Sequence, residues 1–319
     1  MHTTALLRAA RDARLAPSIL NSQPWRWRTG GSALELHADP ARQLPHIDPH
    51  GRLMTISCGA ALHHARVALS AAGHEPVVDR MPDPGRPTLL ARITIGPARP
   101  PTSESLAAYD SMRRRRTERR PFAADARVPA EALTRVRAAA EAERAHLYVL
   151  DSPDVEYLRY AAQGAHTITA HDTLAAAELR QWTHRDNAAD GVPPATVVPD
   201  APRPVPVRDF GLGAEAELPP GSGDDSGAEY LVVATSGDEP ADWLGAGEAT
   251  SAAWLTATTE GLGASPMSEV VEIPGARVLV RTLLPTREQP QLVLRVGVPP
   301  ACGPPPSPRR PATGVVTEG

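Results

Sequence analysis

PSILNSQPW occupies residues 17–25. Pro17 and Pro24 restrict the backbone at either end, and Trp25 adds a ring large enough to demand packing. Between them Ser18, Asn21 and Gln23 carry hydroxyl and amide donors and acceptors. A rigid loop so equipped can read the polar edge of a planar heterocycle. The same residues also describe a surface turn pinned by Trp25. The stretch alone leaves both readings open, and partners elsewhere in the chain must separate them.

Upstream, residues 1–15 alternate apolar and basic groups at helical spacing until Pro17 stops them. Downstream, 32–39 alternates with period two, as a half-buried strand does. Residues 56–73 read as a helix ending at Gly73, 88–96 as a strand and 96–105 as a connector. The second half repeats these kinds of element: helices at 129–143 and 245–263, strands at 146–150, 229–235 and 289–297. The helices at 56–73 and 245–263 align with one offset, which pairs Gly59 with Gly247, Ala61 with Ala249, Ala65 with Ala253 and Gly73 with Gly261. Small residues on one helix face imply close approach to a neighbour, and two such helices suggest an internal duplication. Alanine-rich sequence also yields such matches by chance. Residues 180–228 are too long for an ordinary connection and read as a lid carrying Trp182, Val197, Val198 and Phe210. The Pro-rich stretch 299–319 reads as disordered.

The 319 residues carry a net charge of −4, against a general nucleic-acid binder. There is no lysine, which excludes a lysine Schiff base and a phosphate-loop lysine. Cys58 and Cys302 do not make a disulfide framework. The first residues lack the apolar core of a signal peptide, and no run suits a membrane helix, so a cytoplasmic protein is expected. The histidines show no metal-ligand spacing, no Gly-x-Ser-x-Gly elbow is present, and no catalytic acid stands out.

Three further stretches carry chemistry. RRRRTERRPF, residues 113–122, holds six arginines in ten positions. It is a solvated charge run, a nucleic-acid patch or an anion clamp. GLGASPMS, residues 261–268, follows a helix rather than a strand, so it is no dinucleotide fingerprint. It is a helix cap and turn, or a place where backbone N–H groups approach a ligand. Arg295 shares a strand face with Val293, and a buried arginine needs an anion.

Together and in this order, PSILNSQPW, RRTERRPF, GLGASPMS and Arg295 resemble the FMN-dependent nitroreductase family, over residues 16 to about 297. In that family each subunit starts with the arginine motif and continues to the loop. Here it comes first, the first half lacks an arginine motif, and the chain after Gly73 reads GHEPVV. That order resembles the fused two-domain, Acg-like branch. The resemblance implies an α+β nitroreductase-like fold of two tandem degenerate copies, residues 1–100 and 101–298, forming an intramolecular pseudo-dimer with one FMN per chain. It implies that Arg115, Arg116, Thr117 and Arg119 hold the phosphate and that Arg295 joins the phosphate or ribityl end. Ala264 and Ser265 would lie near the ring's reactive edge. Pro17, Ser18, Ile19, Asn21 and Gln23 would supply the cross-interface loop, with Asn21 and Ser18 at the pyrimidine side, and Trp182 would mark the lid. The implied activity is two-electron hydride transfer at flavin N5 to a small organic acceptor, with NAD(P)H as reductant. The alternative is an FMN-sequestering protein whose lid blocks NAD(P)H. A monomer or weak homodimer is expected, without nucleic-acid, membrane or metal partners.

Overall fold

The computed structural model describes residues 2–318 except 186, 187, 200 and 202. Helix α1 (His2–Ala13) leads through the 17–25 loop into the hairpin of β1 (Trp25–Gly30) and β2 (Ala33–Ala38). Trp25, Trp27 and Thr29 of β1 are buried while Arg26 and Arg28 are exposed, the alternation of a strand with one wet face. Next come α2 (Arg52–Ala71), β3 (His74–Arg80), β4 (Leu89–Ala98) and α3 (Ser103–Arg114). Residues 96–105 are thus not a connector throughout. β4 runs to Ala98, and a capping box between Thr102 and Ser105 starts α3.

The second half contains α4 (Ala130–Glu141), β5 (His146–Val149), α5 (Ser152–His171), α6 (Thr173–Thr183), β6 (Glu229–Thr235), α7 (Pro240–Thr259), β7 (Gly263–Pro266), α8 (Glu269–Glu272), α9 (Pro274–Thr282) and β8 (Gln289–Gly297). One sheet has the order β5-β6-β8-β7, all antiparallel. The other has the order β3-β4-β2-β1-β9, in which β9 (Val316–Glu318) pairs parallel with β1.

That last strand corrects the expectation of a disordered 299–319 tail. The tail crosses from the second half to the first half's sheet, and Val315 is buried beneath it. Its prolines leave few N–H groups to satisfy and little chain entropy to lose, so the segment packs without regular structure.

Helices α2 and α7 form the seam between the halves. α7 is buried almost all round, which suits its run of Gly, Ala and Ser. The two glycines matched by the sequence offset face each other across the seam. A Cβ on Gly59 would fall 2.1 Å from the Leu244 carbonyl oxygen, and one on Gly247 would fall 2.0 Å from that of Ile56. Polar groups cross the same seam. Ser251 Oγ lies 2.8 Å from His63 Nδ1 and 2.9 Å from His64 Nδ1. The buried Glu248 carboxylate accepts from both Arg80 nitrogens at 2.7 and 2.8 Å and from Arg66 at 2.7 Å. Neither charge is left alone, as burial requires.

Residues 184–228 have two short 3-10 turns, Pro194–Thr196 and Gly213–Glu215. Val192, Val197 and Leu212 of this segment pack with Leu20, Leu44, Ile47, Leu179 and Trp182 in a small apolar cluster.

Two outcomes test this packing. Gly59→Ala should destabilise the chain by about 3 kcal/mol or more, since neither helix backbone can move away cheaply. Gly164→Ala on α5, where a Cβ meets nothing within 4 Å, should stabilise it by roughly 0.5–1 kcal/mol; urea denaturation reads both. Burial, helped by Arg66 and opposed by Glu248, holds His63 down to about 3 from 6.5. Burial, then Arg115 and His63, holds His64 well below its ordinary value. Both rings stay neutral when folded, so below 6.5 the unfolded chain binds more protons. Stability should therefore fall as pH drops from 6.5 towards 3, by up to about 1.4 kcal/mol per unit for each ring. His63→Gln should flatten that slope in denaturation curves taken between pH 7 and 4.5.

Candidate functional site

A cavity of about 760 Å³ opens beside the α2–α7 seam. Its walls come from the 17–21 loop, α2, the arginine loop after α3, α7, residues 265–270, the 192–216 connection and the tail. The volume lies within the usual roughly 300–1,000 Å³ of small-molecule sites.

One part of the cavity is strongly cationic. Arg115 is 5% exposed, and its guanidinium carbon lies 4.4 Å from the centre of the Trp254 ring. One nitrogen reaches the Leu15 carbonyl at 3.3 Å; Nε and the other terminal nitrogen have no partner. Arg309, from the tail, donates to Asn21 Oδ1 at 3.0 Å and to the Leu15 carbonyl at 3.2 Å, and its Nε is also unpartnered. Arg116 is tied to the carbonyls of Arg113 and Arg115. Burial, then Arg309 and Arg116, press Arg115 well below its ordinary value. Burial, then Arg116 and Arg14, bring Arg309 to about 10. Arginine nonetheless stays protonated at neutral pH. Among the described residues none of these three has a carboxylate within ion-pair distance. Three buried or half-buried cations, two of them with unpartnered buried donors, form a site suited to an anion.

The rest of the arginine run behaves differently. Arg113 pairs with Asp12 at 3.5 Å, Arg114 with Asp110 at 2.7 Å and Arg120 with Glu118 at 2.6 Å. Arg119 lines the cavity apart from the trio. Its guanidinium sits 4.8 Å from the Phe210 ring centre and donates to the Thr196 carbonyl at 3.0 Å. Burial lowers it to about 10, with Glu118 opposing. Thr117 lines the cavity and bridges to Ala264, while Glu118 N–H donates to the Ala264 carbonyl at 3.0 Å. These contacts fasten the arginine loop to β7.

Several expected site residues take other roles. Arg295 touches the cavity, but its anion is Asp225; its other terminal nitrogen donates to the carbonyls of Glu118 at 2.7 Å and Arg120 at 3.1 Å, and its Nε has no partner. It is fully buried against the Phe122 ring and braces the arginine loop from behind. The late basic residue that faces the cavity without an ion-pair partner among the described residues is Arg309. Ala264 is buried and does not line the cavity; Ser265 does. Trp182 also lies off the cavity, between Arg42 at 5.4 Å and Arg185 at 4.6 Å. The aromatic residue that the connection turns inward is Phe210.

In the opening loop, Pro17, Ser18, Ile19 and Asn21 line the cavity, but Gln23 does not. Ser18 Oγ accepts from Gln23 N–H at 2.9 Å, and Ile19 N–H donates to Ser57 Oγ at 3.1 Å. Leu20, Asn21 and Gln23 all have positive φ, 44°, 53° and 49°. The amides of Asn21 and Gln23 are engaged with the connection and the tail. Arg309, Trp254 and the buried, unpartnered Thr250 hydroxyl were not foreseen. Only the basic pair Arg309–Arg310 amid prolines signalled any of them.

The nitroreductase family model matches residues 112–298. The chain belongs to the nitroreductase family. The match starts inside α3, takes in the arginine loop and ends just after β8, short of Arg309. A Mycobacterium tuberculosis protein named "Putative NAD(P)H nitroreductase Rv3131" is 38% identical over 310 residues, covering 94% of this chain and 88% of that protein. A second from that organism, "Putative NAD(P)H nitroreductase acg", is 34% identical over 318 residues, covering 98% and 95%. Among solved structures, a nitroreductase with bound FMN from Bacteroides fragilis has 13% identity and a TM-score of 0.38, covering 60% of this chain and 88% of that one. Among the described residues no helix is long and apolar enough to cross a membrane.

The cationic part of the cavity makes its own prediction. Thermal stability of the ligand-free protein should rise with added inorganic phosphate, more than with chloride at equal ionic strength. Arg115→Met should abolish the difference.

Proposed function

We propose that this chain is a flavin oxidoreductase that binds one FMN in the cavity. The carrying observation is the trio Arg115, Arg116 and Arg309, buried or half-buried cations, with unmet donors on Arg115 and Arg309, beside a slot sized for a small molecule. A phosphate close to a dianion suits those donors, since guanidinium forks pair well with its oxygens. Thr117 adds a hydroxyl beside them. Ile19, Leu53, Ile56 and Ala60 give the slot an apolar wall, and residues 265–267 form part of another. FMN, when bound, supplies two-electron hydride transfer at N5 to a small organic acceptor. The protein's contribution is binding, orientation and charge. Arg119, a buried cation apart from the trio, favours negative charge building up on a bound ring. The residues of the 192–216 connection act as a lid that keeps water from the slot.

The two halves form a pseudo-dimer about the α2–α7 seam. Residues on a two-fold axis meet their own counterparts, and Gly59 against Gly247 is such a meeting. One half supplies the 17–21 loop and the other the arginine loop, so one site per chain follows. NAD(P)H is the proposed reductant and the cytoplasm the proposed setting.

A second reading, sequestration of FMN without turnover, is favoured by Val197, Val198, Phe210 and Leu212 of the lid, which wall the cavity. One experiment separates the two. The purified protein should absorb near ~450 nm as a flavoprotein does and retain one FMN. Rapid NAD(P)H oxidation with menadione supports the reductase; tight FMN without turnover supports sequestration; a colourless chain that takes up no FMN overturns both. Arg115→Met should weaken FMN binding by roughly 10- to 100-fold.

A further inference from the structure

Asn21 and Gln23 each bond both the lid and the tail through the side-chain amide. Asn21 Nδ2 donates to the lid's Gly191 carbonyl at 2.9 Å and to the tail's Pro308 carbonyl at 3.1 Å. Its Oδ1 accepts from Arg309 at 3.0 Å. Gln23 Nε2 donates to the lid's Ala189 carbonyl at 2.9 Å, and its Oε1 accepts from the tail's Arg310 N–H at 2.8 Å. The chemistry fixes both amide orientations, because carbonyls only accept while guanidinium and backbone N–H only donate. These are buried or part-buried bonds joining residues far apart in sequence.

The backbone carrying the amides is held under strain. Leu20, Asn21 and Gln23 occupy the left-handed region, which persists only where surroundings over-determine it. The amide hydrogen bonds are part of that determination, beside Ser18 Oγ, which accepts from Gln23 N–H, and Arg42, which donates to the Ser22 carbonyl.

We propose that Asn21 and Gln23 form a double latch, so that opening of the lid and withdrawal of Arg309 from the cationic end of the cavity are a single event. An anion held by Arg309 therefore keeps the lid shut, and an opened lid lets the anion go. Asn21 and Gln23 act as positioning residues: they set Arg309 and the lid rather than reading a ring edge. The inference rests on the cofactor reading only for the identity of that anion.

Hydrogen exchange of the full-length, ligand-free chain tests it, followed in lid peptides covering 188–198 and tail peptides covering 305–311. Arg309→Gln weakens the tail side alone, since the hydrogen-bond partners of Arg309 are Asn21, Ser307, Pro308 and Leu15. Gln23→Glu weakens the lid side alone: a carboxylate still accepts from Arg310 N–H but repels the Ala189 carbonyl, while Asn21 keeps Gly191. Coupling predicts that each variant speeds exchange in both segments, by roughly tenfold. Loosening confined to the tail in Arg309→Gln and to the lid in Gln23→Glu overturns the latch. Peptides of β6 report the fold. If either variant loosens β6 as well, the other decides, and if both do, wild-type protein with inorganic phosphate decides: protection must rise in lid and tail together. FMN added to wild type should slow lid exchange by a similar factor. Failure of FMN to bind at all would remove the cofactor reading while leaving the ligand-free comparison to judge the latch.

Discussion

Three guanidinium groups, those of Arg115, Arg116 and Arg309, share one end of a cavity, and among the described residues none of them has a carboxylate within ion-pair distance. Their mutual repulsion and desolvation oppose folding. Much of the surrounding structure can be understood as the means of keeping them there. Trp254 gives Arg115 an aromatic face in place of water. The Leu15 carbonyl accepts from both Arg115 and Arg309. Arg295, satisfied by Asp225, holds the arginine loop's carbonyls and so fixes the direction in which that loop points.

The seam supplies the second requirement, closeness. Because Gly59 and Gly247 lack side chains, α2 and α7 approach near enough for residues of α2 and α7 to line one cavity. The charge buried at the seam is paired: Glu248 meets Arg66 and Arg80, and Ser251 meets both histidines. A cofactor-sized space between two halves follows from that separation, as does the division of its walls between them.

Much of this was legible in residues 17–25 and 113–122, where amide and guanidinium groups are concentrated enough to imply a purpose. Helices α2, α4 and α7 and strands β2, β4, β5, β6 and β8 stood out through periodicity. What could not be read was partner choice. Arg295 met the rule that a buried arginine needs an anion, but the anion was Asp225, seventy residues away in sequence. Asn21 and Gln23 had the right groups to read a ring, yet groups of the 184–228 connection and the tail took them. The tail was misjudged because proline content describes what a segment does in isolation. It says nothing of a neighbouring sheet edge such as β1 that can receive it.

The parallel pairing of β9 with β1 carries a consequence for biogenesis. Ribosomes release residues 17–30 long before residues 309–318, so the first sheet waits with an open edge, and the cavity with one wall missing, until the late segment arrives. Contacts this remote in sequence form slowly. During that interval the nascent chain exposes an unpaired strand, a recognised hazard for association with other chains. Insertion of the ligand becomes a final step of maturation, and scarcity of that ligand would register as fewer mature molecules rather than as a weaker catalyst.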